Sequence, residues 1–175
     1  MRNKKSKMTI TAIALMVTLA AFILDFKREL KTSIIINAKP SSVYQKMSDL
    51  ENYSKWNPFI RSISGNLIKG EKLNVFIKPE SENGMSFTPI VLNIEKNKEI
   101  RWLGVLGVRG IFDGEHYFSL EETRDAKTKL IHGEKFSGLL VPFFWNMIKV
   151  STKNGFLAHN QALKDVIERN ILSSL

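Results

Sequence analysis

Three side chains that could exchange protons share one predicted sheet: His116, His132 and Glu134. They fall in two segments, 114–122 and 127–137, in which apolar and polar residues alternate as they do in half-buried β-strands. The even-numbered residues of both segments are the more apolar set, which places them on the inner face of the sheet. Both histidines and the glutamate are therefore predicted to point into the protein.

A tight turn at residues 123–126 predicts that these two segments form a hairpin. An inner-face residue of one strand must pair with an inner-face residue of the other. The two residue numbers of each cross-strand pair should therefore add up to an even value of about 250. This register places His116 opposite Glu134 and Phe118 opposite His132. A slip by two residues would instead place His116 opposite His132.

A long amphipathic helix is predicted at residues 145–171, and it brings a third histidine to the same interior. His159 comes three residues after Phe156 and four before Leu163, so it lies on the apolar face of this helix. All three histidines and Glu134 could therefore line one cavity between the helix and the sheet.

Four roles are open to this polar group. A pair of His and Glu could perform general acid–base catalysis, for which His116, His132 and Glu134 are the candidates. Three His and one Glu could also hold a divalent metal, but no ligand spacing supports this, and we predict neither a metal nor a cofactor. The side chains could instead orient the polar end of a ligand, or they could simply pair with one another, because buried polar groups need partners.

Aromatic residues surround the polar group in the predicted interior. Alternation in segment 99–106 places Trp102 and Gly104 on the inner face, while Trp56 and Phe59 either plug one end of the core or stand at a pocket mouth. The predicted ligand-contacting residues are Trp56, Phe59, Trp102, Gly104, His116, Phe118, His132, Glu134, Phe136, Phe156 and His159.

The order of the elements that must position these residues predicts an α+β fold. Strands that follow one another through short turns form an antiparallel meander, whose apolar face must be covered. The C-terminal helix is long enough to cover it, so we expect a curved antiparallel sheet wrapped around that helix. The predicted strands are 33–37, 72–78, 86–95, 99–106, 114–122 and 127–137, with a helix starting at Lys39-Pro40.

The first 31 residues are predicted to lie outside this domain. Residues 8–24 carry no charge, and their 17 residues would span roughly 25 Å as a helix, against about 30 Å for the hydrocarbon core of a bilayer. We expect a single-pass N-terminal membrane anchor; the alternative is a signal peptide cleaved near Ala20 or Ala21, which would export the domain. The flanking charges leave open the side of the membrane on which the domain, residues 32–175, lies.

Charge and composition exclude several classes of function. Seven basic and two acidic residues in 1–31 account for +5 of the net charge of +9, and both signs are interspersed in the remainder. A mildly basic surface of this kind predicts no nucleic-acid partner, and we expect a monomer. The chain has no cysteine, which excludes disulfides and thiolate chemistry, and it has no phosphate-cradling or dinucleotide-binding motif.

Several short stretches resemble the START-like helix-grip superfamily (SRPBCC), in particular its branch of polyketide cyclase/dehydrase and lipid-transport proteins. The resemblance implies a helix-grip domain in residues 32–175 and a cavity between sheet and C-terminal helix that binds a lipid or other hydrophobic small molecule. It leaves a cyclase/dehydrase-type enzyme as the alternative. The stretches that carry it are AKPSSVY (38–44), YSKWNPF (53–59), Gly65 with GEKL (70–73), RWLG (101–104), GEHYF (114–118) and GEKFSG (133–138).

Overall fold

The computed structural model describes the backbone of residues 2–24, 26–79 and 83–172, and the side chains of 6–19, 26–79 and 83–170. The predicted segments 1–31 and 32–175 also include residues 1, 25, 80–82 and 173–175, which lie outside the described residues. The elements are α1 (Arg2–Leu24), β1 (Arg28–Ile36), α2 (Pro40–Ser48), a 3₁₀ turn (Leu50–Asn52), α3 (Tyr53–Trp56), β2 (Ile60–Gly65), β3 (Leu73–Ile77), β4 (Met85–Phe87), β5 (Ile90–Glu95), β6 (Glu99–Val105), β7 (Asp113–Glu122), β8 (Thr128–Ser137) and α4 (Val141–Leu172).

The strands form two antiparallel sheets, which confirms the α+β class. The larger sheet has the order β1-β8-β7-β6-β5, and the smaller sheet has the order β2-β3-β4. The predicted hairpin register is confirmed, since His116 pairs with Glu134 and Phe118 pairs with His132. The larger sheet and the long helix α4 give the helix-grip arrangement.

Helix α4 covers the inner face of the larger sheet with one buried stripe. Phe156, His159, Leu163 and Ile167 follow one another at intervals of three or four residues, and Asn160 lies four residues after Phe156. All five are buried. Complete burial of one large apolar side chain stabilises a fold by about 1.5–3 kcal/mol, so this stripe holds the helix on the sheet.

One predicted strand is in fact two. Segment 86–95 was expected to be continuous, but β4 belongs to the smaller sheet and β5 to the larger one. Pro89 lies between them, and a proline has no N–H to donate within a strand. The break explains why neither face of this segment was clearly the inner one in the sequence.

Strand β2 escaped the sequence analysis because its pattern departs from strict alternation. Its buried residues, Ile60 and Ile63, are three apart, and the pairing with β3 is irregular between Ile60 and Ser62. A bulge of this kind shifts the side-chain periodicity by one residue. Two other elements begin before their predicted starts: β1 at Arg28, and α4 at Val141 with Pro142 in its first turn, where proline is tolerated.

The membrane-spanning prediction for residues 8–24 is not supported. Among the described residues, no helix combines the length and the apolar character that a membrane crossing requires. The 17 uncharged residues correspond to roughly 25 Å of helix, which is shorter than a bilayer core.

Candidate ligand cavity and buried histidine chain

A cavity of about 230 Å³ lies between the two sheets and the first half of α4. Most of its walls are apolar or aromatic, and Glu134 is the one carboxylate among the described residues that line it. The lining residues are Phe59, Ile77, Met85, Ser86, Phe87, Trp102, Gly104, Val105, Leu106, Phe112, Gly114, His116, Glu134, Phe136, Ile148 and Thr152.

Two paired glycines leave room for this cavity. Gly104 of β6 lies opposite Gly114 of β7, and both line the space. A methyl group on Gly104 would contact Phe87 at an ordinary distance of 3.5 Å, whereas one on Gly114 would collide with the Glu134 carboxylate. Gly104 therefore leaves room for a ligand, and Gly114 leaves room for the glutamate.

A chain of hydrogen-bonding groups, which we call the histidine chain, runs from the cavity wall into the core. Nδ1 of His116 lies 3.5 Å from Oε2 of Glu134, and Nε2 of His116 lies 3.1 Å from Nε2 of His132. Nδ1 of His132 lies 2.9 Å from Oδ1 of Asn160. Asn160 donates through Nδ2 to the Thr32 hydroxyl at 3.0 Å, and that hydroxyl donates to the carbonyl oxygen of His132 at 3.2 Å.

The partners of the histidine chain fix the tautomer of its middle member. Because the Asn160 amide nitrogen donates to Thr32, the Asn160 oxygen is free to accept from Nδ1–H of His132. Burial, together with the neighbouring histidines, lowers the pKa of His132 well below its ordinary value, so His132 is neutral. Its Nε2 atom is then an acceptor, and Nε2 of His116 must be the donor.

The third histidine belongs to a separate pair. The Asn57 side-chain nitrogen donates to Nδ1 of His159 at 2.8 Å, while the Asn57 oxygen accepts from the backbone N–H groups of Phe59 and Ile60 at 2.9 Å each. Burial is the main cause that lowers the pKa of His159 to about 3. This neutral pair ties the start of β2 to α4.

The predicted site residues divide between the cavity and the core behind it. The residues that line the cavity are Phe59, Trp102, Gly104, His116, Glu134 and Phe136. The residues that pack behind it are Trp56, Phe118, His132, Phe156 and His159, and the last four are fully buried. The ring of Trp102 stacks on His116 at a centroid distance of 4.7 Å and therefore fixes the orientation of the imidazole.

Sequence reasoning missed several residues that complete the site. Asn160 could have been found, because it follows Phe156 by four residues and so lies on the same face of α4. Phe87 was obscured by the strand break at Pro89. Phe112 lies in the loop between β6 and β7, so no strand alternation placed it on the cavity wall. Ile148 precedes Phe156 by eight residues and could have been placed on the same face of α4.

The arrangement can hold and exchange a proton at the cavity wall, through His116 and Glu134. No group of three His, Asp or Glu side chains in the described part of the chain is placed to hold a metal ion.

A sheet wrapped around a long C-terminal helix, with a cavity between them, defines the START-like helix-grip class. Within this class, residues 27–168 match the family described as polyketide cyclase/dehydrase and lipid transport, and the chain belongs to that family. The resemblance found in the sequence is therefore confirmed. The comparison with curated proteins finds no match.

Solved structures show the same fold at low sequence identity. The Zhui aromatase/cyclase from Streptomyces sp. R1128 is 12% identical, with a TM-score of 0.68, over 83% of this chain and 96% of that one. A START superfamily protein from Mycobacterium smegmatis is 19% identical, with a TM-score of 0.63, over 81% of this chain and 97% of that one. These likenesses establish the fold.

Proposed function

We propose that this chain binds a hydrophobic small molecule in the cavity between sheet and helix, and that residues 8–24 hold it at a membrane. The observation that carries the proposal is the cavity itself, with aromatic walls and a few polar side chains, among them His116 and Glu134. Ligand sites are typically apolar pockets with a few polar groups that fix orientation.

Burial of the ligand's apolar surface is the expected driving force for binding. It contributes roughly 25 cal/mol for each Å² removed from water, before the cost of ordering the ligand is subtracted. The walls are already ordered, because Trp102 stacks on His116 and the ring of Phe136 packs against Phe112 and Trp145. A preformed site of this kind loses little entropy when the ligand enters.

Catalysis of the cyclase/dehydrase type is the alternative. His132 is fully buried and does not line the cavity, so an acid–base step would fall to His116 and Glu134. His132 and Asn160 would then act as positioning residues, because they orient His116 without reaching the substrate.

Exposed apolar side chains support the membrane part of the proposal. Large apolar residues of α1 are exposed to between 51% and 75%. Such a helix gains free energy when an apolar phase covers it. The residues concerned are Met8, Ile10, Ile13, Leu15, Met16, Val17 and Leu19.

A second apolar surface, which we call the rim, lies beside the cavity. It combines the loop 105–112 with the start of α4, and Leu139 and Leu140 donate backbone hydrogen bonds to that loop. Segments 105–112 and 138–153 contain three basic residues and no acidic one, a charge pattern that suits an anionic bilayer surface. The exposed apolar residues of the rim are Val105, Leu106, Val108, Ile111, Leu139, Phe143, Phe144, Met147 and Val150.

The binding function is tested by filling the cavity. Gly104→Trp should occupy the ligand space with little loss of stability, because a Cβ there meets its neighbours only at ordinary contact distances and points into the cavity. Native mass spectrometry of the full chain, released from detergent micelles, should show a co-purified apolar molecule in the wild type that Gly104→Trp lacks.

The matched control is Leu103→Trp, which adds the same ring one residue earlier, on the opposite face of β6. It should retain the bound molecule. Equal occupancy of wild type and Gly104→Trp would contradict the proposal, as would a wild type that binds neither a co-purified molecule nor an added fluorescent naphthalene probe.

The membrane part is tested by flotation with vesicles that contain anionic lipid. The full chain should float with the vesicles. The full chain with Phe143→Asp and Met147→Asp should still float, whereas the same variant without α1 should stay in the aqueous fraction. If the full chain stays in the aqueous fraction, membrane attachment is refuted, and the proposal for the cavity is unaffected.

A further inference from the structure

The histidine chain leaves two acceptor atoms facing each other at the cavity wall. Nε2 of His116 donates to His132, so Nδ1 of His116 faces Oε2 of Glu134 at 3.5 Å. Two acceptor atoms that face each other repel, and a ligand that donates hydrogen bonds to both removes the repulsion. The wall therefore offers a paired acceptor site, made of one imidazole nitrogen and one carboxylate, to a group with more than one N–H.

Among the described residues, no lysine or arginine faces this pair from the elements packed against it. The titratable groups that face it are His132 of β8, which is neutral, and His159 of α4, which is also neutral. Arg101 and Lys135 lie on the opposite face of the sheet, where they surround the Tyr117 ring. The described residues that line the cavity include no lysine or arginine.

Five aromatic rings complete the environment of the carboxylate. Phe59, Phe87, Trp102, Phe112 and Phe136 line the same space of about 230 Å³ as Glu134. The faces of aromatic rings carry negative electrostatic potential, and they attract cations within about 6 Å of the ring centre. An acidic group within an aromatic enclosure favours a cation over a neutral ligand and opposes an anion.

We propose that the ligand is a small aromatic or alicyclic amine, whose ammonium group donates hydrogen bonds to Glu134 while its ring packs among the aromatic residues of the cavity. The aromatic rings and the acceptor pair line the same space, which suits a ligand that carries a ring and an amine close together. This inference rests on the proposed binding function and adds the chemical class of the ligand to it.

Three probes with the same ring and different polar ends test the inference. These are 2-naphthylmethylamine, 2-naphthylmethanol and 2-naphthoate, titrated by calorimetry into the full chain in phospholipid nanodiscs, with empty nanodiscs subtracted. The ammonium probe should bind roughly tenfold more tightly than the alcohol, because hydrogen bonds to charged groups are about twice as strong as neutral ones. The carboxylate should bind most weakly.

Glu134→Gln separates recognition by charge from the shape of the site. Glutamine can donate to Nδ1 of His116 and so preserves the histidine chain. This variant should bind the alcohol within about threefold of the wild type, and it should lose the preference for the ammonium probe. Glu115→Gln makes the same exchange on the outer face and should leave the preference unchanged.

The outcomes distinguish this inference from the proposed function. If none of the three probes binds the wild type, both fail together. If the alcohol or the carboxylate binds as tightly as the amine, the cation assignment fails and the cavity remains a binding site. A preference for the amine that persists in Glu134→Gln would also overturn the assignment, because the charge of Glu134 would then play no part.

Discussion

The inner and outer faces of strands β6 to β8 carry two polar networks of different character. On the inner face, His132 is completely buried, and its ring nitrogens lie within hydrogen-bonding distance of His116 and Asn160. On the outer face, Arg101 bonds to Glu99 at 2.7 Å and also to Glu115, and these side chains are between 20% and 33% exposed. Side chains alternate between the two faces of a strand, so consecutive residues of the same strand belong to different networks.

Contact with water explains the difference. On the outer face, which water reaches, hydrogen bonding between charged partners is the main cause of the pKa shifts. Hydrogen bonds with Arg101 lower the pKa of Glu99, and those with Glu99 raise the pKa of Arg101. Where water is excluded, the cost of burying charge dominates and lowers the pKa of His132 and His159. The outer network is therefore held by charge, and most of the inner one by neutral hydrogen bonds.

Acidification should destabilise the inner face of the sheet, through the buried histidines His132 and His159, and give the larger effect. The pKa of His159 is about 3 in the folded chain and near 6.5 when unfolded, so the unfolded chain takes up its proton first. The contribution of His159 to the free energy of unfolding should therefore be constant above pH 6.5. As the pH decreases from 6.5 toward 3, this contribution should decrease by about 1.4 kcal/mol per pH unit. His132 acts in the same direction, and urea unfolding between pH 7 and 4 measures both.

His159→Asn sharpens this prediction. The asparagine oxygen can still accept from Asn57, but the group that titrates is gone. The slope between pH 6.5 and 4 should decrease by about 1.4 kcal/mol per pH unit, leaving the contribution of His132. An unchanged slope would show that His159 does not remain neutral in the folded chain.

Disruption of the outer network should have a small effect. Arg101→Gln should lower the free energy of unfolding by about 1 kcal/mol or less, since partly exposed ion pairs contribute little. The difference from the wild type should shrink further in 1 M salt, where the screening length is about 3 Å. A loss above about 3 kcal/mol, insensitive to salt, would mean that this pair is as shielded from water as the histidine chain.

The comparison also shows which parts of the molecule were predictable. Strict alternation in β7 and β8 revealed the inner face, and the position of the turn determined that His116 would face Glu134. The interval between Phe156 and His159 identified the buried face of α4. These features depend on local periodicity, which one sequence displays directly.

The shape of the cavity depends on contacts that local periodicity does not encode. The bulge in β2 and the break at Pro89 place the ring of Phe87 on a different sheet from Trp102. Asn57 reaches His159 across 102 positions of sequence. Contacts of this kind form only when the elements pack together, and no periodic pattern in the sequence indicates them.

The division into two sheets bears on the volume of the cavity. The sheets meet where residues 70–73 bond to residues 89–91, and among the described residues no other strand pairing joins them. The cavity draws its walls from both sheets, so its volume depends on how the two sheets are held at this junction. A substitution that weakens the junction should therefore change the volume of the cavity before it breaks either ladder.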